Sequence, residues 1–260
     1  MPTFLFDKIV FGPVKSRRLG NSLGINLLPL SGKICNFNCI YCECGWTLSS
    51  DIAAGVLPTR EEVRDALEKK LSEMKAKSNA PDVITFAGNG EPTLHPDFAE
   101  IIDDSIMLRD KYFPAARIAV LSNSTTIKNP AVRKALLKAD SNILKLDSAF
   151  DLTVKIHNQP RVNINIEDLI KDLEGLKGRL IIQTLFIRGS FGGRTIDNTT
   201  REEIDAWLKA LRKIKPPEVM IYTISRDTPE GGSLQKVPLA ELNRIAAMVR
   251  KMGIRTIVSC

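Results

Sequence analysis

Four of the five cysteines in this 260-residue chain fall between positions 35 and 44: Cys35, Cys39, Cys42 and Cys44. Thiolates are soft metal ligands, and an odd, clustered set argues for a metal site over a disulfide framework. The first three are spaced C-x3-C-x2-C. A cubane [4Fe-4S] cluster has four irons, usually met by four thiolates. Three thiolates from one loop leave an iron open, as a catalytic zinc keeps an open position. The amino and carboxylate groups of a methionine moiety suit such an iron, and an electron from the cluster could then cleave the sulfonium. The alternative is a four-thiolate structural zinc site that includes Cys44. Zinc sites usually come as two short pairs separated by a longer loop, and four thiols from one short segment make an awkward tetrahedron. Cys44 therefore reads as a bystander, and Cys260 as an isolated thiol.

Such a loop needs elements to hold it. Short apolar runs at Gly24–Leu28, Val83–Ala87, Ile118–Leu121, Ile143–Leu146, Leu180–Ile187 and Val219–Ile224 read as strands buried on both faces. Helical patterns alternate with them: Arg60–Lys75, Asp97–Lys111, Pro130–Ala139, Ile166–Leu176, Arg201–Ile214 and Leu239–Met252. Thr59 starts the first with acidic Glu61 and Glu62, Thr199 or Thr200 caps the fifth, and Gly253 ends the last. Strand–helix alternation predicts a parallel α/β sheet with right-handed crossovers, either open and doubly wound or curled into a complete or partial barrel. In both, ligands sit at the strands' C-terminal ends. The informative residues fall there: the cysteines, Gly88–Pro92, Ser122–Ser124, Asp147–Ser148, Arg188–Gly189 and Ser225–Asp227 come after the successive strands.

Bulk properties narrow the class. The chain is 43% hydrophobic and 26% charged, an ordinary globular balance. It holds no apolar run of membrane-spanning length and no signal-peptide pattern, so the expectation is a cytoplasmic protein with no membrane partner. The net charge of +7 fits a phosphate-bearing partner such as nucleic acid but does not require one.

The loop Cys35–Cys44 and the strand-exit segments C-terminal to it resemble the radical S-adenosylmethionine superfamily. The C-x3-C-x2-C spacing looks like that superfamily's cluster motif, and the order of later segments agrees. The resemblance implies one [4Fe-4S] cluster on Cys35, Cys39 and Cys42, and S-adenosylmethionine as the second cofactor. It places Tyr41 beside adenine. Asn89-Gly90-Glu91 stands where the family has Gly-Gly-Glu to meet the methionine amino group, with Asn89 in the first glycine's place. Ser122 and Asn123 match a polar pair facing ribose and carboxylate groups. Asp147, in Lys145-Leu146-Asp147, resembles a ribose contact, and Gln183 and Ile224 are adenosine contacts on later strands. The implied fold is a partial (β/α)6 TIM-like barrel with the cluster loop after the first strand. It forms one domain over 1–260: a core over residues 20–225, an N-terminal extension over 1–19, and a C-terminal helix and short strand over 238–260.

The implied activity is reductive cleavage of S-adenosylmethionine to a 5′-deoxyadenosyl radical that abstracts hydrogen from a substrate, fed by an electron donor such as flavodoxin or ferredoxin. A narrower resemblance rests on Phe11–Gly20, Ser22–Gly24, Gly90–Pro96 and Ile221–Ile224. It is to iron–sulfur oxidoreductases related to the radical enzymes of wyosine formation in transfer RNA. Those enzymes carry extra cysteines or a flavodoxin-like domain. This chain has no cysteine before Cys35, so it does not look like a wyosine synthase proper. RNA, protein and small-molecule substrates stay open, as does activation of a glycyl radical protein. A zinc-stabilised binding module would need Cys44 as ligand, and an iron–sulfur electron-transfer protein would need a fourth cluster ligand and no nucleoside pocket.

Other residues read two ways. Arg17 and Arg18 suit bidentate carboxylate or phosphate binding, or a surface ion pair. His95 reads as a hydrogen bonder at a helix entry. His157 falls in a polar loop, Lys155–Arg161, where it could face substrate. Gly189–Gly193, with Phe191 inside, reads as a mobile loop over the site or as a plain connection.

Overall fold

The structure, a computed structural model, describes residues 4–47, 55–226, 228–229 and 231–260; Asp227, expected at the sixth strand exit, lies outside the described residues. Eight strands form one sheet in the order β1 (Val10–Ser16), β2 (Gly20–Ile25), β3 (Val83–Phe86), β4 (Arg117–Ser122), β5 (Ser141–Lys145), β6 (Ile181–Leu185), β9 (Glu218–Tyr222) and β11 (Arg255–Ser259). β1 is antiparallel to β2, and every later neighbour is parallel. The two end strands do not pair with each other, so the sheet is a curled half-barrel. The expected six-stranded partial barrel is β2 to β6 plus β9, with β1 added at one edge and β11 at the other.

Helices make the crossovers: α1 (Arg60–Ala76), α2 (Phe98–Tyr112), α3 (Pro130–Leu136), α4 (Asp151–His157), α5 (Ile166–Glu174), α6 (Arg201–Ile214) and α7 (Leu239–Arg250). Their starts reflect local chemistry. The Thr59 hydroxyl accepts from Glu62 N at 3.2 Å, and the Glu62 carboxylate accepts from Thr59 N at 2.7 Å, a reciprocal capping box on α1. Thr200, not Thr199, caps α6 by accepting from Glu203 N at 3.3 Å. Lys215 ends α6 in the left-handed region, with φ 53°.

Strand alternation divides the apolar residues into two layers. Ile84, Phe86, Ile118, Val120, Leu144, Ile182 and Val219 pack outward against the helices, in one cluster with Leu67, Leu71 and Trp207. Val83, Ala119, Ile143 and Met220 point inward and close the bottom of the curl with Leu19. Among the described residues no helix is long and apolar enough to cross a membrane.

Three segments depart from the sequence reading. Leu180–Ile187 is not one strand. Ile187 N donates to Asn198 Oδ1 at 2.9 Å, and the chain leaves the barrel at Phe186. It then forms β7 (Ile187–Phe191), which pairs with β8 (Arg194–Asp197) and β10 (Leu234–Lys236). Gly189–Gly193 is therefore part of a hairpin rather than a free loop. Its two-residue tip, Gly192 and Gly193, has φ 56° and 74°, the left-handed pair a tight hairpin turn requires. Finally, His157 ends helix α4 and is buried at 2% exposure, so it does not face a substrate from a loop.

Trp207 on α6 is 1% exposed, meets Phe186 edge-on at 5.4 Å, and donates from Nε1 to Thr184 Oγ1 at 3.1 Å. Trp207→Ala is expected to lower stability by about 3–5 kcal/mol through cavity formation, measured by urea unfolding.

Candidate functional site

A cavity of about 320 Å³ opens at the strands' C-terminal ends, lined by the cysteine loop, the segments after β3, β4 and β9, and the inner face of the sheet. Two residues beyond the inward apolar layer, the strands present Leu121, Lys145, Gln183 and Tyr222 to it. The barrel interior thus changes from apolar floor to polar wall within one pleat.

The cysteine loop is held against the segment after β3 by backbone bonds in both directions. Ile34 N donates to Asn89 O at 3.0 Å, and Glu91 N donates to Ile34 O at 3.1 Å. Gly90 sits between them at φ 134°, where a Cβ would stand 1.8 Å from Ile34 O. Only glycine fits there.

Cys35, Cys39, Cys42 and Cys44 all line the cavity. Amide donors surround the first two sulfurs. Phe37 N lies 3.3 Å and Asn123 Nδ2 3.6 Å from Cys35 Sγ, and Asn158 Nδ2 lies 3.4 Å from Cys39 Sγ. Burial pushes the Cys35 thiol up to about 12, with the Glu91 charge adding to it. Cys42 goes the other way, lowered by the hydrogen bond from the Cys44 thiol and by Lys33 beside it. Cys44 also reaches Gly88 O at 3.4 Å, and its own pKa rises with that donation and its burial. Lys33, only 2% exposed, donates to Gly45 O at 2.9 Å and keeps its ammonium because the three thiol positions outweigh its burial.

Glu91 is 2% exposed. Its carboxylate accepts from Thr93 Oγ1 at 2.5 Å, Thr93 N at 3.2 Å and Asn123 N at 2.6 Å. Burial raises its pKa, and these bonds, with Ser122, oppose the rise. Asn123 turns its side chain to the cysteine loop, donating to Asn36 Oδ1 at 2.6 Å. Tyr41, Ser122, Gln183 and Ile224 line the cavity as well.

Two expected contacts sit elsewhere. Asn89 is fully buried and points its side chain away from the cavity. Its Nδ2 donates to Phe6 O and Pro29 O at 2.9 Å each, and its Oδ1 accepts from Phe6 N at 2.8 Å. It straps the N-terminal segment to the barrel. Asp147 lies behind the cavity wall rather than in it. Leu185 N donates to its Oδ1 at 2.9 Å, and Tyr41 OH and Asn158 Nδ2 donate to its Oδ2. Those donors occupy the oxygens that a ribose would have needed.

Sequence reasoning missed the two buried lysines. Lys145 faces the cavity, 3.2 Å from Tyr222 OH and 3.5 Å from Asp147 Oδ2. Asp147 and Tyr222 raise its pKa against the cost of burial. Alternation from inward Ile143 would have placed Lys145 on the same face. Lys33 had a weaker signal, a lysine two residues before the first cysteine. His95 bonds Pro58 O at 2.8 Å and accepts from Asp97 N at 3.1 Å, a hydrogen bonder where α2 begins. Burial lowers His157 to about 4.

Residues 30–215 match the Radical SAM superfamily. The chain belongs to that superfamily, whose enzymes use a [4Fe-4S] cluster and S-adenosylmethionine. Within it, the chain is 34% identical over 222 residues to a UPF0026 protein of Helicobacter pylori, covering 84% of this chain and 67% of that one. It is 33% identical over 228 residues to a protein named GTPase Obg from Brachyspira hyodysenteriae, covering 86% of this chain but only 31% of that protein. The chain thus spans under a third of that relative's length. Among solved structures, TYW1 with a lysine–pyruvate adduct bound superposes with a TM-score of 0.60 at 16% identity, covering 88% of this chain and 73% of that one. That likeness is one of fold.

Asn89→Gly introduces the superfamily's usual residue yet removes three hydrogen bonds, one buried and two partly buried. It is expected to lower stability by roughly 1–3 kcal/mol through unsatisfied Phe6 and Pro29 groups. Urea unfolding of the two proteins side by side reads that loss.

Proposed function

We propose that Cys35, Cys39 and Cys42 hold the [4Fe-4S] cluster and that S-adenosylmethionine lies against Tyr41, Gly90, Glu91, Ser122, Asn123, Gln183 and Ile224. The observation that carries this reading is that three thiols and these polar groups open onto one cavity at the barrel mouth. The residues suit the cluster: amide donors stand by Cys35 and Cys39, as thiolate sulfurs accept them, and buried Lys33 offsets their charge. Cys44 falls outside the C-x3-C-x2-C spacing and its sulfur lies 3.4 Å from Gly88 O, so it is not assigned as a cluster ligand. When bound, the cofactor pair supplies a 5′-deoxyadenosyl radical that takes a hydrogen atom from the substrate.

The chain's own residues prepare that chemistry. Glu91, locked by Thr93 and Asn123, presents fixed negative charge to an amino group. Asn123 ties the cysteine loop to the exit of β4 through Asn36. Tyr41 supplies an aromatic face beside the thiols, and the curled sheet excludes water from the far wall. A nucleoside within RNA is the substrate we favour. The fold likeness to TYW1, a wyosine-synthesis enzyme, supports it, as do the +7 charge and the arginines Arg17 and Arg226 at the cavity mouth.

The test is anaerobic reconstitution with iron and sulfide, then dithionite and S-adenosylmethionine, with 5′-deoxyadenosine read by mass spectrometry. Wild type and Cys44→Ala are expected to form it, and Cys39→Ala to give none above background. A colourless protein that takes zinc through all four cysteines would sink the reading.

A further inference from the structure

The inner end of the cavity holds a guanidinium that no described carboxylate neutralises. Arg18, on the turn between β1 and β2, lines the cavity and lays its guanidinium 4.7 Å from the centre of the Tyr222 ring. Its Nη1 is buried and has no hydrogen-bond partner. No carboxylate lies within ion-pair distance of Arg18 among the described residues. Lys145 reaches the same tyrosine from β5, with Nζ 3.2 Å from Tyr222 OH and 5.7 Å from the ring centre.

The nearby acids are committed. Asp147 lies 3.5 Å from Lys145 but already accepts from Leu185, Tyr41 and Asn158. Glu91 accepts from Thr93 and Asn123, and Glu43 pairs with Arg226 at 2.7 Å. An unpaired guanidinium nitrogen shut away from water is costly. A guanidinium held over an aromatic ring still has its planar fork of donors to offer an oxyanion.

We propose that Arg18 and Lys145, which both approach Tyr222 at the cavity wall, form an oxyanion subsite for a carboxylate or phosphate of the substrate. This rests on the reading above, in which S-adenosylmethionine occupies the Glu91 and Asn123 side of the same cavity. The substrate therefore carries an anionic group. Tyr222 OH gives the site a third polar contact, and Gln183, also on the cavity wall, borders it through the β5–β6 pairing, where it is the register partner of Lys145.

The test is calorimetric titration of malonate and of inorganic phosphate into oxidised, reconstituted protein saturated with S-adenosylmethionine. Wild type is expected to bind at least one of them. Arg18→Gln should weaken that binding roughly ten-fold or more, as loss of a charge-assisted bond implies. Arg18→Lys should keep most of it, and S-adenosylmethionine affinity should stay near wild type in both variants. The stronger of the two probes tells carboxylate from phosphate.

Three results would overturn the subsite: wild type binding neither anion, Arg18→Gln binding as wild type does, or Arg18→Gln losing S-adenosylmethionine in step with the anion. The last would assign the pair to the cofactor's own carboxylate. Repeating the titration on protein without cluster or S-adenosylmethionine separates this inference from the functional reading. Failure to take up either cofactor counts against the latter, while anion binding still reports on Arg18.

Discussion

Between Ile34 and Gly90 two stretches of backbone pass with no room for a side chain. A Cβ at residue 90 would stand 1.8 Å from the Ile34 carbonyl oxygen, and the backbone there has φ 134°. Because the two stretches touch, Ile34 can exchange bonds with Asn89 and Glu91, and the cysteine loop becomes in effect an extra strand at the barrel mouth. The rest of the site depends on that contact. Glu91 is turned inward to meet Thr93 and Asn123, and Asn123 in turn reaches the loop through Asn36. Asn89 is turned outward, where its amide holds the N-terminal segment. Two neighbouring residues therefore serve opposite sides of the barrel wall, although the sequence presents them as one motif.

Charge is arranged as carefully as shape. Thiols that are to act as ligands must lose protons inside a buried wall, and Lys33 stands among them as the compensating cation. Deeper in the barrel Lys145 and Arg18 continue the positive lining, with Tyr222 between them. Against these stand Glu91, which faces the thiol side, and Asp147, which is withdrawn behind the wall. The cavity thus has a carboxylate near the cysteine loop, and near its floor Lys145, paired with Asp147, and Arg18, which has no carboxylate partner among the described residues.

Most of the frame could be read from sequence because parallel strands are buried on both faces. They appear as short runs of Ile, Val and Leu, each leading into a polar exit. What was hidden has physical causes. Apolar continuity does not report direction, so Leu180–Ile187 concealed the point at which β6 ends and β7 departs for the small sheet. β1 carries Gly12 and Pro13, which break a strand pattern, and its register with β2 shifts between Phe11 and Val14. α4 has 7 residues, too few for a periodic signal, and so His157 looked like part of a loop. Lys145 was overlooked for a different reason: a lysine at a strand end is ordinarily solvated, and only its phase relative to Ile143 shows that it points inside.

Asp147 shows how residue type can be right and role wrong. A carboxylate at the exit of β5 is in the correct place to touch a nucleoside, yet its side chain is shut away from solvent and its oxygens are engaged by protein groups. Tyr41 comes from the cysteine loop, Asn158 from just after α4, Leu185 from β6 and Lys145 from β5. Four separate elements meet on one buried side chain. Asn158 also donates to Cys39 at 3.4 Å, so the same junction fixes a thiol. Asp147 is best understood as a positioning residue that sets the cysteine loop and the Lys145–Tyr222 floor at a constant separation. A buried carboxylate accepting this many donors is rigid because moving any one partner would leave a charge unsolvated. That rigidity lets a barrel that is open along one side keep a defined cavity.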